Sequence, residues 1–130
     1  MGSEMCIRDS ISGDTAPSEG IRRHAKGVDL LIHEALNEEI FYYIGEQMDL
    51  QGGPMPGSRM ERIASVHTTT HELAEIAQQA KVKQLVITHL IPALPAMWIV
   101  DRFFIAGMNE LYAGDITVAR DGQWIDLRSL

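Results

Sequence analysis

Four short motifs carry the side chains from which a hydrolytic site could be assembled: Ser12-Gly13-Asp14-Thr15, His33-Glu34-Ala35, His67-Thr68-Thr69 and Thr88-His89-Leu90-Ile91-Pro92. Carboxylate and imidazole are the protein ligands that borderline divalent metals accept, and imidazole also titrates close enough to neutrality to move protons. Asp14 lies between a possible strand and the helix start at Pro17, where its carboxylate could bridge two cations. His89 closes the run KVKQLVITH, so a strand end would fix the direction of its ring. Taken singly, an Asp after Gly is an ordinary turn residue and a strand-end His an ordinary structural one. As a pair, Asp14 and His89 read as metal ligands.

His67 precedes a helix start, where the positive helix end favours proton donation to a leaving oxygen. Glu34 ends another apolar run and could orient the ring of His67 or of a metal ligand. His71, four residues after His67, raises the rival of a two-histidine metal clip on one helix face. Thr69 followed by Glu72 reads as a capping box, which leaves His67 outside the helix, and the intervening threonines lack the Glu of a zinc-protease helix. His71 and His24 read as solvent-facing.

The elements that must position these groups alternate along the chain. A helix is expected from Pro17 to about Gly27, a buried parallel strand over Val28 to His33, and a helix capped by Asn37 through Leu50. Gln51 to Ser58 reads as a loop and Arg59 to Ser65 as a helix. Next come the capped helix through Lys81 and a second parallel strand over Val82 to Thr88. Met97 to Tyr112 reads as helical with an interruption near Gly107, and the apolar stretch Ala93 to Met108 as core packing rather than a membrane span, since Asp101 and Arg102 interrupt it. Ile116 to Arg120 and Gln123 to Leu127 flank Asp121-Gly122, the signature of a β-hairpin.

Composition narrows the class. The 130 residues suffice for one domain, and 45% hydrophobic with 22% charged content is that of a globular chain. A net charge of −7 excludes a broad basic nucleic-acid face, and the single cysteine, Cys6, excludes both an intrachain disulfide and a thiolate cluster. The cysteine usage fits a reducing compartment, and the expectation is a cytoplasmic protein with no membrane partner and no organic cofactor site.

As an ordered set, Gly-Asp-Thr, His-Glu-Ala, the His-Thr-Thr turn leading into HELAEIAQQAKVKQLVITH, and Thr-His before a proline resemble the C-terminal half of metallo-β-lactamase-fold hydrolases, nearest the ribonuclease Z branch. The resemblance implies an α/β fold, half of an αββα sandwich, ending here in the hairpin. It implies Asp14 and His89 as metal ligands and His67 as proton donor; Glu34 joins His67 on the reading of the residues alone. It further implies two zinc ions, with manganese an alternative, an RNA or small phosphodiester substrate, and a homodimer when intact. Three departures bear on substrate rather than metal chemistry: Leu36 and Thr68 stand where the tRNA-processing members carry Thr and Ser, and no Ser-Pro-Arg-Tyr follows Leu90.

The family's first half supplies a His-x-His-x-Asp-His motif, and none of the five histidines here has that spacing. The expectation is a partial hydrolase domain over residues 11–130, inactive by itself, whose missing N-terminal half acts as partner. Met1 to Ser10 reads as a non-native or disordered leader, and the start near Ile11 as poorly anchored. The sheet face away from the helices should be open and apolar, and the chain should self-associate. Other hydrolases of the fold, cutting lactone, thioester or sulfate bonds, and an inactive half-domain are the competing readings.

Overall fold

The computed structural model describes residues 8–53 and 56–130. Most of the expected leader, including Cys6, and Pro54 and Met55 of the expected loop lie outside the described residues. In chain order the elements are β1 (Asp9–Ile11), α1 (Glu19–His24), β2 (Leu30–Leu36), α2 (Glu38–Leu50), α3 (Gly57–Ala64), α4 (Thr70–Gln79), β3 (Gln84–Ile91), α5 (Trp98–Phe104), α6 (Met108–Leu111) and β4 (Asp115–Val118). The strands form one parallel sheet in the order β1-β2-β3-β4.

Right-handed crossovers that always step the same way along a sheet place every connecting helix on the same face. The core shows this for α4, α5 and α6, whereas α2 and α3 bury Phe41 and Met60 against Leu36 in a separate cluster. Leu31 and Ala35 of β2 and Leu85 and Ile87 of β3 pack with Leu73, Ala74 and Ala77 of α4, Phe104, Met108 and Tyr112. The intervening residues Leu30 and Val86 face the other way, yet they are buried. That face is therefore partly covered rather than open, although Ile11 on it remains exposed. The Arg8 guanidinium beside β1 donates to the Leu127 carbonyl at 2.7 Å, so the chain after β4 returns to the opposite edge of the sheet.

The local signals that depend on neighbouring residues appear where the sequence puts them. Asn37 caps α2 by accepting from the Ile40 N–H at 3.0 Å, and Thr69 and Glu72 form the capping box of α4. Gly107, at φ +80°, separates α5 from α6, a left-handed geometry that costs other residues more.

Several expectations are corrected. The C-terminal hairpin is absent: β4 pairs in parallel with β3, and 123–126 has no strand partner, although Gly122 does take the positive φ of a turn. Alternating apolar residues identify a strand without naming its partner, and here Ile125 and Leu127 are buried in part outside any strand. The first helix begins at Glu19 rather than Pro17, because Ser18 caps it, accepting from Ile21 N–H at 3.2 Å. Gly57 and Ser58 belong to α3 rather than a loop. The stretch read as core packing divides into two short helices, with Phe104 and Met108 buried but Trp98, Ile99 and Phe103 exposed. Asp9 and Ser10, within the expected leader, lie in β1, and Arg8 pairs with Asp29 at 2.5 Å, so the start is anchored more firmly than expected. No helix among the described residues is long and apolar enough to cross a membrane.

Candidate active site

All four residues singled out from the motifs meet at the carboxyl edge of the sheet, the edge where parallel α/β sheets assemble their sites. β2 and β3 run in register from Leu30↔Gln84 to Glu34↔Thr88, and then Ala35 pairs with Leu90. His89 is thus the extra residue of a bulge, with φ +43°. A bulge bends its strand and redirects a side chain, and here it leaves the His89 imidazole half-exposed at the rim. From the loop after β1, the Asp14 carboxylate reaches it: Oδ1 lies 3.0 Å from His89 Nδ1.

His67 arrives on the turn before α4, its ring centroid 5.9 Å from that of His89. Its Nδ1 is 3.3 Å from Glu34 Oε1, near enough to attract but outside hydrogen-bond geometry. Glu34 is buried and organises the junction. Its Oε1 accepts from the Thr68 N–H at 2.9 Å and, at a longer 3.4 Å, from the Thr15 N–H, while Oε2 has no partner. The Thr68 hydroxyl donates to the Thr15 carbonyl at 2.6 Å, and the Leu36 N–H to the Thr68 carbonyl at 2.9 Å. These bonds tie the Asp14 loop, the end of β2 and the His67 turn into one unit.

That tie is what reading the motifs missed. Thr68 and Thr15 were visible as motif members, but nothing local says that one hydroxyl bridges two loops. His33, beneath the site, is fully buried, with Nδ1 2.7 Å from the Glu34 carbonyl and Nε2 unpartnered. Burial lowers its pKa, against the opposing pull of that carbonyl and of the Glu34 charge. His24 and His71 are exposed, and His71 stands apart from the cluster, so the two-histidine clip does not form.

The donor set fits a divalent metal. Neighbouring ligands of a tetrahedral ion with bonds of about 2.0–2.2 Å sit roughly 3.3–3.6 Å apart, and the directly paired Asp14 Oδ1 and His89 Nδ1, at 3.0 Å, need to separate only slightly to reach that spacing. Glu34, His67 and His89 offer ligand atoms within 4.8 Å of one another, a second grouping on His89 that does not include Asp14.

No family model matches the chain. Ribonuclease Z of Methanothermobacter thermautotrophicus is 38% identical over 84 residues, which is 65% of this chain and 22% of that protein. Ribonuclease Z of Brevibacillus brevis is 36% identical over 81 residues, 62% of this chain and 20% of that protein. The chain spans about a fifth of the length of these curated relatives. Among solved structures, the metallo-β-lactamase fold protein YhfI from Bacillus subtilis superposes with a TM-score of 0.57 at 18% identity, over 89% of this chain and 39% of that one. The chain carries part of a metallo-β-lactamase fold. A long form RNase Z from yeast agrees, with a TM-score of 0.56 at 20% identity over 94% of this chain and 14% of that one. The ribonuclease Z resemblance carried by the four motifs is borne out at the level of sequence similarity, and the metallo-β-lactamase fold explains why they converge on one sheet edge.

Proposed function

We propose that this chain is part of a zinc-dependent hydrolase that cleaves phosphodiesters in the manner of a ribonuclease Z. The observation that carries the reading is the convergence of Asp14, His89, His67 and Glu34 at one sheet edge, in a chain similar to ribonuclease Z along most of its length. Asp14 and His89 would hold the metal, and a metal bound there supplies Lewis-acid polarisation of the phosphoryl group.

The remaining chemistry belongs to the chain's own groups. Glu34 faces the Nδ1 side of His67, which leaves Nε2 as the atom that carries a proton to the leaving oxygen. Glu34 is a positioning residue: the backbone N–H of Thr68 fixes its Oε1, and the His67 ring is oriented against that same oxygen. With Glu34 and His67 kept for positioning and proton transfer, Asp14 and His89 alone fall short of the three ligands typical of catalytic zinc, and the rest of the metal shell, with its His-x-His-x-Asp-His motif, is assigned to an N-terminal half. The intact enzyme, on this reading, is a cytoplasmic homodimer acting on RNA or a small phosphodiester.

Zinc calorimetry and turnover of bis(p-nitrophenyl) phosphate test the proposal. The 130-residue chain should bind zinc weakly and show no turnover, and an N-terminal half bearing the histidine motif should restore it. In the restored enzyme, His67→Ala should lower kcat by about 100-fold or more, the scale of lost general-acid catalysis. Tight stoichiometric zinc binding with turnover by the chain alone would overturn the incomplete site.

A further inference from the structure

A cleft of about 570 Å³ opens beside this site, at the carboxyl ends of β3 and β4, within the size range of small-molecule pockets. The sheet register fixes its position. Ile87 pairs with Val118 and the Ala119 N–H donates to the Ile87 carbonyl at 2.9 Å, so Ala119 and Arg120 run alongside Thr88 and His89. Leu90, the residue after His89, lines the cleft with Leu94, Pro95 and Ala96. Its polar groups are Arg120, Asp101 and Asp121.

The charge balance decides what fits. Arg120 is already paired with Asp101, and Asp121 adds a second carboxylate, so the lining carries a net negative charge and repels phosphate. Apolar walls suit a planar ring, and a guanidinium held flat by its carboxylate partner offers a face to stack on. Carboxylates accept hydrogen bonds from an exocyclic amino group, and a purine carrying hydrogen in its place offers them no donor on that edge. We infer that this cleft holds the nucleobase flanking the scissile phosphate and prefers a base bearing an exocyclic amino group. The inference rests on the phosphodiester reading, since only a nucleotide substrate places a base next to the metal ligands.

The chain's two tryptophans report on the cleft: Trp98 follows the lining residue Ala96 by two positions, Trp124 follows Asp121 by three, and both are exposed. Adenosine, purine riboside and ribose are titrated into the full 130-residue chain without metal, followed by tryptophan fluorescence and by the amide signals of Leu90, Ala119 and Arg120. Adenosine should bind about 10-fold more tightly than purine riboside, which lacks the amino group, the effect of one unshared hydrogen bond, and ribose should cause no change. The exposed Asp121→Ala variant loses the acceptor and should bring the ratio of the two nucleosides close to one, while Leu94→Arg should abolish binding. Equal binding of the two nucleosides, no binding of either, or an unchanged ratio in D121A would overturn the proposal. If adenosine binds as stated while zinc ignores Asp14 and His89, the base cleft stands and the metal reading fails. If zinc binds there and adenosine does not bind, the base cleft fails and the metal reading stands.

Discussion

Removing Glu34 should destabilise the fold far more than its single carboxylate suggests. The Glu34→Ala variant strips the acceptor from the Thr68 N–H, which is fully buried and 2.9 Å from Oε1, and from the Thr15 N–H and His67 Nδ1 at 3.4 and 3.3 Å. A buried donor left without a partner costs about 1–3 kcal/mol, and the lost charge-assisted bond and the void of the truncated side chain bring the expected total to about 3–5 kcal/mol. Glu34→Gln keeps a carbonyl oxygen for Thr68, so its cost should be about 1–2 kcal/mol. Urea unfolding monitored by circular dichroism reads both variants, with the slope expected to stay constant. Amide exchange at Thr68 should accelerate in E34A and change little in E34Q. Equal midpoints for the two variants, or an E34A chain as stable as the parent, would show that Glu34 does not hold the loops together.

Two further effects follow from the same structure. Thr69→Ala loses the side-chain half of the capping box on α4 and should cost about 1 kcal/mol in urea unfolding, with Thr69→Asp close to neutral. The Asp29 carboxylate is held below the usual carboxylate range by Lys83 and then by Arg8, ion pairs that join β1, β2 and β3 at the amino edge of the sheet. A carboxylate whose folded pKa is depressed adds stability above its unfolded pKa and loses it as pH falls through the folded value, so the urea midpoint should drop on acidification below about pH 4. In Asp29→Asn that part of the drop should be missing.

What the sequence discloses about this fold divides by the range of the interaction. Asn37, Thr69 and Glu72 act on backbone within four residues, and the caps of α2 and α4 sit where their side chains predict. The continuous apolar runs of β2 and β3 mark buried parallel strands because both faces of a central strand need covering, and their ends bring His89 and the Asp14 loop to one edge. The last third of the chain was less legible. Alternation in 116–127 predicts strands but carries no information on which strand β4 joins, and the parallel register with β3 leaves 123–126 outside any strand, on the way to Leu127 beside Arg8. The bulge at His89 has no sequence signal either. His is not a residue that favours positive φ as glycine does, and the conformation exists because β2 and β3 pair on both sides of it. The link from Thr68 to Thr15 joins residues far apart in sequence, so only the assembled sheet edge reveals it.

The most direct test of the central claim is a zinc titration followed through the imidazole carbon-bound proton signals of the five histidines. The account predicts that His89 shifts or broadens first, that His67 follows, that exposed His24 and His71 stay unmoved, and that Asp14→Asn weakens the His89 response. Equal responses at His24 and His71, or a His89 response indifferent to Asp14→Asn, would contradict it.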